Sequence, residues 1–284
     1  MDFTPDPIAF TLFGIDIRWY AICICAGMIL GSVIAYLRCP SRGIRPDDML
    51  DALIFSIPIG IIGARAWYVF FNRAYYHSFI DVINIRAGGL AIHGGLVFAI
   101  LTAWLFCRHR KLSFLLMIDT AIPCVALAQA MGRWGNFFNS EAHGCETDLP
   151  WAITVDGLKV HPTFLYESLW CLMLFFLLSY IDKRKTFHGQ TFFLYAMLYS
   201  LERFFVEELR TDSLLIGPGS LVTALINSGY DTSAVEGVIH IGGLLIFPAK
   251  TAQLISLASI IAGGLLYSTF RKNKLDPDWA VRPA

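Results

Sequence analysis

Seven apolar stretches constrain this chain more than any other feature. They are residues 19–37, 52–71, 90–107, 114–131, 164–181, 191–206 and 252–270. A helix needs about 20 apolar residues to cross hydrocarbon, and most of the seven approach that length. The third and sixth are shorter and carry polar residues. Backbone in lipid must satisfy its own N–H and C=O groups, so isolated stretches of this kind fold as helices. Only 15% of residues are charged and 56% are hydrophobic, whereas a soluble domain carries about 25% charged residues. The expected fold is an all-α polytopic membrane protein with seven transmembrane helices.

Lysine and arginine set the expected orientation. Arg38, Arg42 and Arg45 follow the first stretch, and Arg108, Arg110 and Lys111 the third. Lys183, Arg184 and Lys185 follow the fifth, and Arg271, Lys272 and Lys274 the seventh. Basic clusters stay on the cytoplasmic side, so the N-terminus lies outside and the C-terminus in the cytoplasm. Residues 72–92, 132–141 and 212–250 then face the outer side. Gly217-Pro218-Gly219, Glu236 and His240 interrupt the last of these. It reads as a small extramembrane subdomain of short strands and a helix between the sixth and seventh spans. Residues 1–284 thus form a single integral-membrane domain, with 212–250 as an extracytoplasmic insertion.

Composition also excludes. The net charge is zero and no basic block occurs, which argues against a nucleic-acid partner. The seven cysteines form no CxxC pair and read as packing residues. No basic n-region or small-residue cleavage site precedes Arg18, so no cleavable signal peptide is expected. No internal repeat is visible, which weakens an inverted-repeat transporter reading.

The informative residues are the polar ones. Gly132-Arg133-Trp134-Gly135-Asn136-Phe137-Phe138-Asn139-Ser140-Glu141 places an arginine, two carboxamides and a carboxylate at the end of an apolar run. Each such group costs free energy at a membrane edge unless paired or wetted. The two glycines allow a sharp backbone turn, and the polar set suits the head group of an anionic lipid. Arg65 sits late in the second stretch, either as a snorkelling interface residue or as a buried charge facing a polar cavity. Arg203, Glu207 and Arg210 share one helical face by their spacing, as an ion-pair ladder or part of a shared site. Glu167 opens the fifth stretch. His93 lies between the glycine pairs Gly88-Gly89 and Gly94-Gly95, and histidine accepts a proton near neutral pH. Trp19 fits the aromatic interface belt, and Tyr20 beside it can aim its hydroxyl inward.

Taken together, these residues resemble the bacterial prolipoprotein diacylglyceryl transferase family. The family signature is similar to Gly-Arg-x-Gly-Asn-Phe-x-Asn-x-Glu, and Gly132 to Glu141 matches every fixed position. Further similar blocks follow the family order: Arg18-Trp19-Tyr20, Gly63-Ala64-Arg65, the glycine-rich block around His93, His161-Pro162-Thr163 with Leu165-Tyr166-Glu167, and Arg203 to Asp212. Gln253 fits as well. Phe164 departs from the pattern, standing where the family usually has glutamine.

The resemblance implies an enzyme of the bacterial cytoplasmic membrane. It would move the diacylglyceryl group of phosphatidylglycerol to the lipobox cysteine thiol of a prolipoprotein, leaving a thioether and glycerol 1-phosphate. It implies His93 as the base, and Arg133 and Arg203, then Arg65, as the groups that stabilise the leaving phosphate. Asn136 and Asn139 suit the head-group hydroxyls. Glu141 and Glu207 hold the arginines in place, or one of them is the proton acceptor. Glu167 belongs to the same polar set. Tyr20 bonds substrate or a carboxylate, and Gly144 lets the following loop pass close to the site. Neither cofactor nor metal is implied. The alternatives are a lipid-binding transporter and a catalytically inactive scaffold relative.

Overall fold

The computed structural model describes residues 5–73, 76, 78–85, 88–210, 239–241, 244–246 and 250–273. The chain is mostly helical. A hairpin, β1 (Ile8–Leu12) and β2 (Ile15–Arg18), leads into α1 (Trp19–Arg38). Then come α2 (Pro46–Phe71), the short α3 (Phe79–Ile83), α4 (Ile92–Arg110) and α5 (Phe114–Phe138). A second hairpin, β3 (Ile153–Val155) and β4 (Leu158–Val160), precedes α6 (Thr163–Asp182) and α7 (Gln190–Leu209). The antiparallel pair β5 (Ile239–Ile241) and β6 (Leu244–Ile246) precedes α8 (Thr251–Asn273). Most of the expected 212–250 subdomain lies outside the described residues, as do Thr211 and Asp212 of the family-like block.

Six helices are long and apolar enough to cross a membrane: Trp19–Arg38, Pro46–Phe71, Ile92–Arg110, Phe114–Phe138, Thr163–Asp182 and Ala252–Lys272. Their outer faces expose Ile29, Ile62, Phe176 and Leu265 to more than half, apolar area that requires lipid rather than water. This is a multi-pass membrane protein. The sixth expected stretch forms α7, but Glu202, Arg203, Glu207 and Glu208 near its end lower its apolar character.

The chain divides into two compact units. One gathers Met1–Gly31 and Ile122–Leu275, and the other is built on Ser32–Ala121. In the second unit α2 packs on α4. A Cβ on Gly94 would lie 2.2 Å from the Trp67 Cβ and 2.6 Å from the Gly63 carbonyl oxygen, so only glycine permits this approach. In the first unit α6 packs on α7 and α7 on α8. Its core is Ala126, Leu174 and Leu178 with Trp170, Phe175 and Leu194 around them. Cys39, Cys107, Cys124 and Cys171 are buried and form no disulfide. Burial pushes the thiol of Cys39, just past α1, up to about 11.

Candidate active site

The signature is helical. α5 continues unbroken through Gly132 and Gly135 to Phe138, so the sharp turn expected at those glycines does not occur. The reason is packing. A Cβ on Gly135 would lie 2.7 Å from the Tyr20 ring and 3.0 Å from the Tyr20 Cα. Gly135 is small so that α1 and α5 can touch. The chain turns later, at Ser140 and Ala142, which both have positive φ.

Keeping the helix intact turns Arg133 toward α6 and α7. There Glu167, with no exposed surface, serves as the hub. Its Oε2 forms an ion pair with Arg133 Nη2 at 2.6 Å and accepts from Arg203 Nη1 at 3.0 Å. Arg210 Nη1 lies 3.7 Å from its Oε1. Arg203 Nη2 also donates to Glu207 Oε2 at 2.5 Å, the one-turn spacing anticipated on α7. Taking an ion out of water costs several kcal/mol, and it is tolerated only when partners and hydrogen bonds compensate. Here three guanidinium groups surround two ion-paired carboxylates.

Arg133 is not saturated by these contacts. Its Nη2 serves both Glu167 and the Tyr199 hydroxyl, the latter at 3.2 Å. Among the described residues its Nε and Nη1 have no partner. Those two nitrogens remain as N–H donors for an anion such as a phosphate oxygen.

Beside the arginines lies an amide set. Asn136 Nδ2 and Asn139 Nδ2 donate to the same Glu141 Oε1, at 3.0 and 3.2 Å. Glu141 therefore orients two asparagines and not an arginine, which corrects the role expected of it; Glu207 does hold Arg203. Asn136 and Glu141 line a small cleft with Phe137, Ser140, His143, Thr154 and Phe164. Phe164, in the family's glutamine position, is buried and packs on Phe137 and Trp134, with ring centroids 4.9 and 5.5 Å away. This wall of the cleft is aromatic.

The loop after α5 is tied over the end of α7. Cys145 N donates to Leu209 O at 2.7 Å, and Gly144 N donates to His161 O at 2.9 Å. A Cβ on Gly144 would lie 2.7 Å from the His161 Cβ and 3.0 Å from Leu209 O, so the loop passes close to Arg210, as expected of this glycine. Tyr20 faces Gly135, and the charges that act on its hydroxyl are Glu141 and Arg133.

Thus Tyr20, Arg133, Asn136, Asn139, Glu141, Gly144, Glu167, Arg203 and Glu207 all belong to the first unit. His93 and Arg65 belong to the second. His93 is the second residue of α4 and is exposed there.

Tyr199 and Lys250 escaped the sequence reading, and Arg210 was read only with its own helix face. Tyr199 lies one turn before Arg203, a spacing that places both on one face. Arg210 was visible in a motif but not as a partner of Glu167. Lys250, 2% exposed, donates from Nζ to the carbonyls of Glu207, Glu208 and Arg210 at 2.6, 3.2 and 3.2 Å. A cation at the C-terminus of a helix satisfies orphan carbonyls and the dipole together. Its only sequence signal was a lone lysine before the last apolar run. Glu202 is buried too, yet neither of its carboxylate oxygens has a hydrogen-bond partner among the described residues.

The family model for prolipoprotein diacylglyceryl transferase matches residues 7–269. The chain belongs to that family. A Finegoldia magna member, phosphatidylglycerol–prolipoprotein diacylglyceryl transferase, is 45% identical over 275 residues, covering 96% of this chain and 99% of its own. The transferase of the same name from Clostridioides difficile is 53% identical over 214 residues, covering 75% of this chain and 86% of its own. That of Clostridium novyi is 47% identical over 223 residues, with 75% and 87% covered.

Proposed function

We propose that this protein transfers the diacylglyceryl group of phosphatidylglycerol to the lipobox cysteine of prolipoproteins in the bacterial cytoplasmic membrane. The observation that carries the reading is Arg133, half-buried and ion-paired with Glu167 yet open at Nε and Nη1. The thiolate sulfur attacks the glycerol carbon that bears the phosphate. A C–S bond forms, the C–O bond breaks, and glycerol 1-phosphate leaves. Charge builds on the phosphate oxygens, where Arg133 and Arg203 stabilise it more strongly than water does. Glu167 fixes both arginines before substrate arrives, so little reorganisation is needed. Asn136 and Asn139, oriented by Glu141, read the head-group hydroxyls. Tyr20 closes the cleft beside them.

A thiol with a pKa near ~8.5 needs a base to act at neutral pH. His93 is that base in this reading, and it takes the thiol proton. The seven helices all cross the membrane, α7 included, with the N-terminus outside and the C-terminus in the cytoplasm. Residues 1–284 act as one membrane domain, and 212–250 form an extracytoplasmic insertion.

The test uses purified protein, phosphatidylglycerol and a lipobox peptide. A diacylglyceryl mass added to the peptide cysteine supports the reading. An unmodified cysteine with a folded protein overturns it and favours a lipid-binding transporter.

A further inference from the structure

Arg65 has a surrounding that no phosphate ligand needs. It is 7% exposed on the last third of α2. Its Nε donates to Val82 O at 2.7 Å. Nη1 donates to Gly88 O and Gly89 O at 2.7 and 2.9 Å. Nη2 donates to Asp81 O and Asn84 O at 2.8 and 3.0 Å. A guanidinium has five N–H donors, and every one is taken by a backbone carbonyl. No carboxylate pairs with it among the described residues. The Tyr76 ring lies 5.0 Å from its Cζ. Nothing is left for an incoming anion.

The carbonyls come from one segment, which is shaped to deliver them. Gly88 and Gly89 have φ of +84° and +80°, a conformation that glycine adopts without strain. A Cβ on Gly89 would lie 2.6 Å from Arg65 Nη1 and 2.8 Å from the Tyr68 ring. Two residues on, Ala91 N donates to Ala64 O at 3.0 Å, and α4 begins at Ile92 with His93 next. Gly94 then rests on Gly63 and Trp67. His93 therefore follows a segment wrapped around Arg65 and precedes a contact with Arg65's own helix.

We infer that Arg65 is a positioning residue: its guanidinium organises residues 81–85 and 88–91 and so fixes where α4 begins and where His93 stands. This inference rests on the reading of His93 as the base. It replaces the expectation that Arg65 binds phosphate. Lysine cannot substitute, because an ammonium has three donors for five carbonyls. A displacement of about 1 Å at a reacting group costs on the order of 100-fold in rate.

The experiment measures steady-state kinetics and amide exchange on the full-length protein in phosphatidylglycerol-containing nanodiscs. Arg65→Lys lowers kcat on the order of 100-fold, by that displacement, while KM for phosphatidylglycerol stays near the wild-type value. Gly89→Ala, which displaces the guanidinium from the loop side, does the same. The two substitutions combined lose no more than either alone, because both break one cage. Faster exchange of the Val82, Asn84 and Ala91 amides accompanies each. Free guanidinium at millimolar concentration restores turnover to Arg65→Ala but not to Arg65→Lys. A raised KM with unchanged kcat, or additive losses, overturns the inference and returns Arg65 to the phosphate. Wild-type kcat in folded Gly89→Ala overturns it too, even where the Arg65 variants do not fold. His93→Asn separates the two readings. If it is active while Arg65→Lys is slow with faster exchange, the base assignment alone fails and Arg65 positions another group of the segment.

Discussion

Arg133 in the first unit and Arg65 in the second are both arginines largely withdrawn from solvent on apolar helices, but they are held in opposite ways. Arg65 spends all five donors on backbone carbonyls of one neighbouring segment. Arg133 shares a carboxylate with Arg203 and leaves two of its nitrogens without partners among the described residues. Carbonyl dipoles can solvate a cation without neutralising it, but they use up its donors. A shared carboxylate holds two cations with few hydrogen bonds and leaves donors over. The first arrangement builds backbone; the second keeps donors for a ligand.

The sharpest way to break this contrast is at the shared anion. Glu167→Gln leaves Arg133, Arg203 and Arg210 without their common partner, and breaking a buried pair costs about 3–5 kcal/mol. Thermal unfolding in detergent should show that loss, and an unchanged midpoint would remove Glu167 as the hub. Arg133→Gln comes next, with a fall of about 10²–10³-fold in kcat, the usual scale for one transition-state donor. Arg133→Lys should recover only part, because a point charge lacks the planar fork; full recovery by lysine would mean that charge alone matters. Lys250→Met tests the carbonyl-held class in the first unit. It removes a charged donor from three carbonyls and should cost about 1.5–3 kcal/mol, seen as faster amide exchange at the end of α7. The smallest effect belongs to Glu202→Gln. A buried carboxylate without a hydrogen-bond partner is a cost to the fold, so its replacement by a neutral amide should not destabilise the protein. A loss as large as that of Glu167→Gln would erase the distinction between a paired and an unpaired carboxylate on this face.

Much of the scaffold was readable because hydrophobic runs in lipid have few solutions. All seven stretches became helices, and two of them, 52–71 and 114–131, are extended by more than a turn at one end. The 114–131 run is the instructive miss, since α5 continues to Phe138. Glycine serves turns and close helix contacts alike, and only the position of Tyr20 decides between them. Within the site, Arg203 and Glu207 were legible because four residues make one turn. The convergence of Arg133, Arg203 and Arg210 on Glu167 was not, since it depends on three segments meeting. Of the carbonyl cage of Arg65 only the Gly88-Gly89 pair was visible in residue types, because every residue carries a carbonyl.

The ammonium of Lys250 reaches the Arg210 carbonyl at 3.2 Å, so the chain is stapled shut where residues 211–249 leave it and rejoin it. Whatever that excursion is made of, its exit and its return are fixed points. Lengthening it costs only the slow logarithmic entropy of a larger closed loop, and shortening it need not shift α8. The excursion is thus a place where this transferase can accept new sequence while Glu167 and its arginines stay as they are.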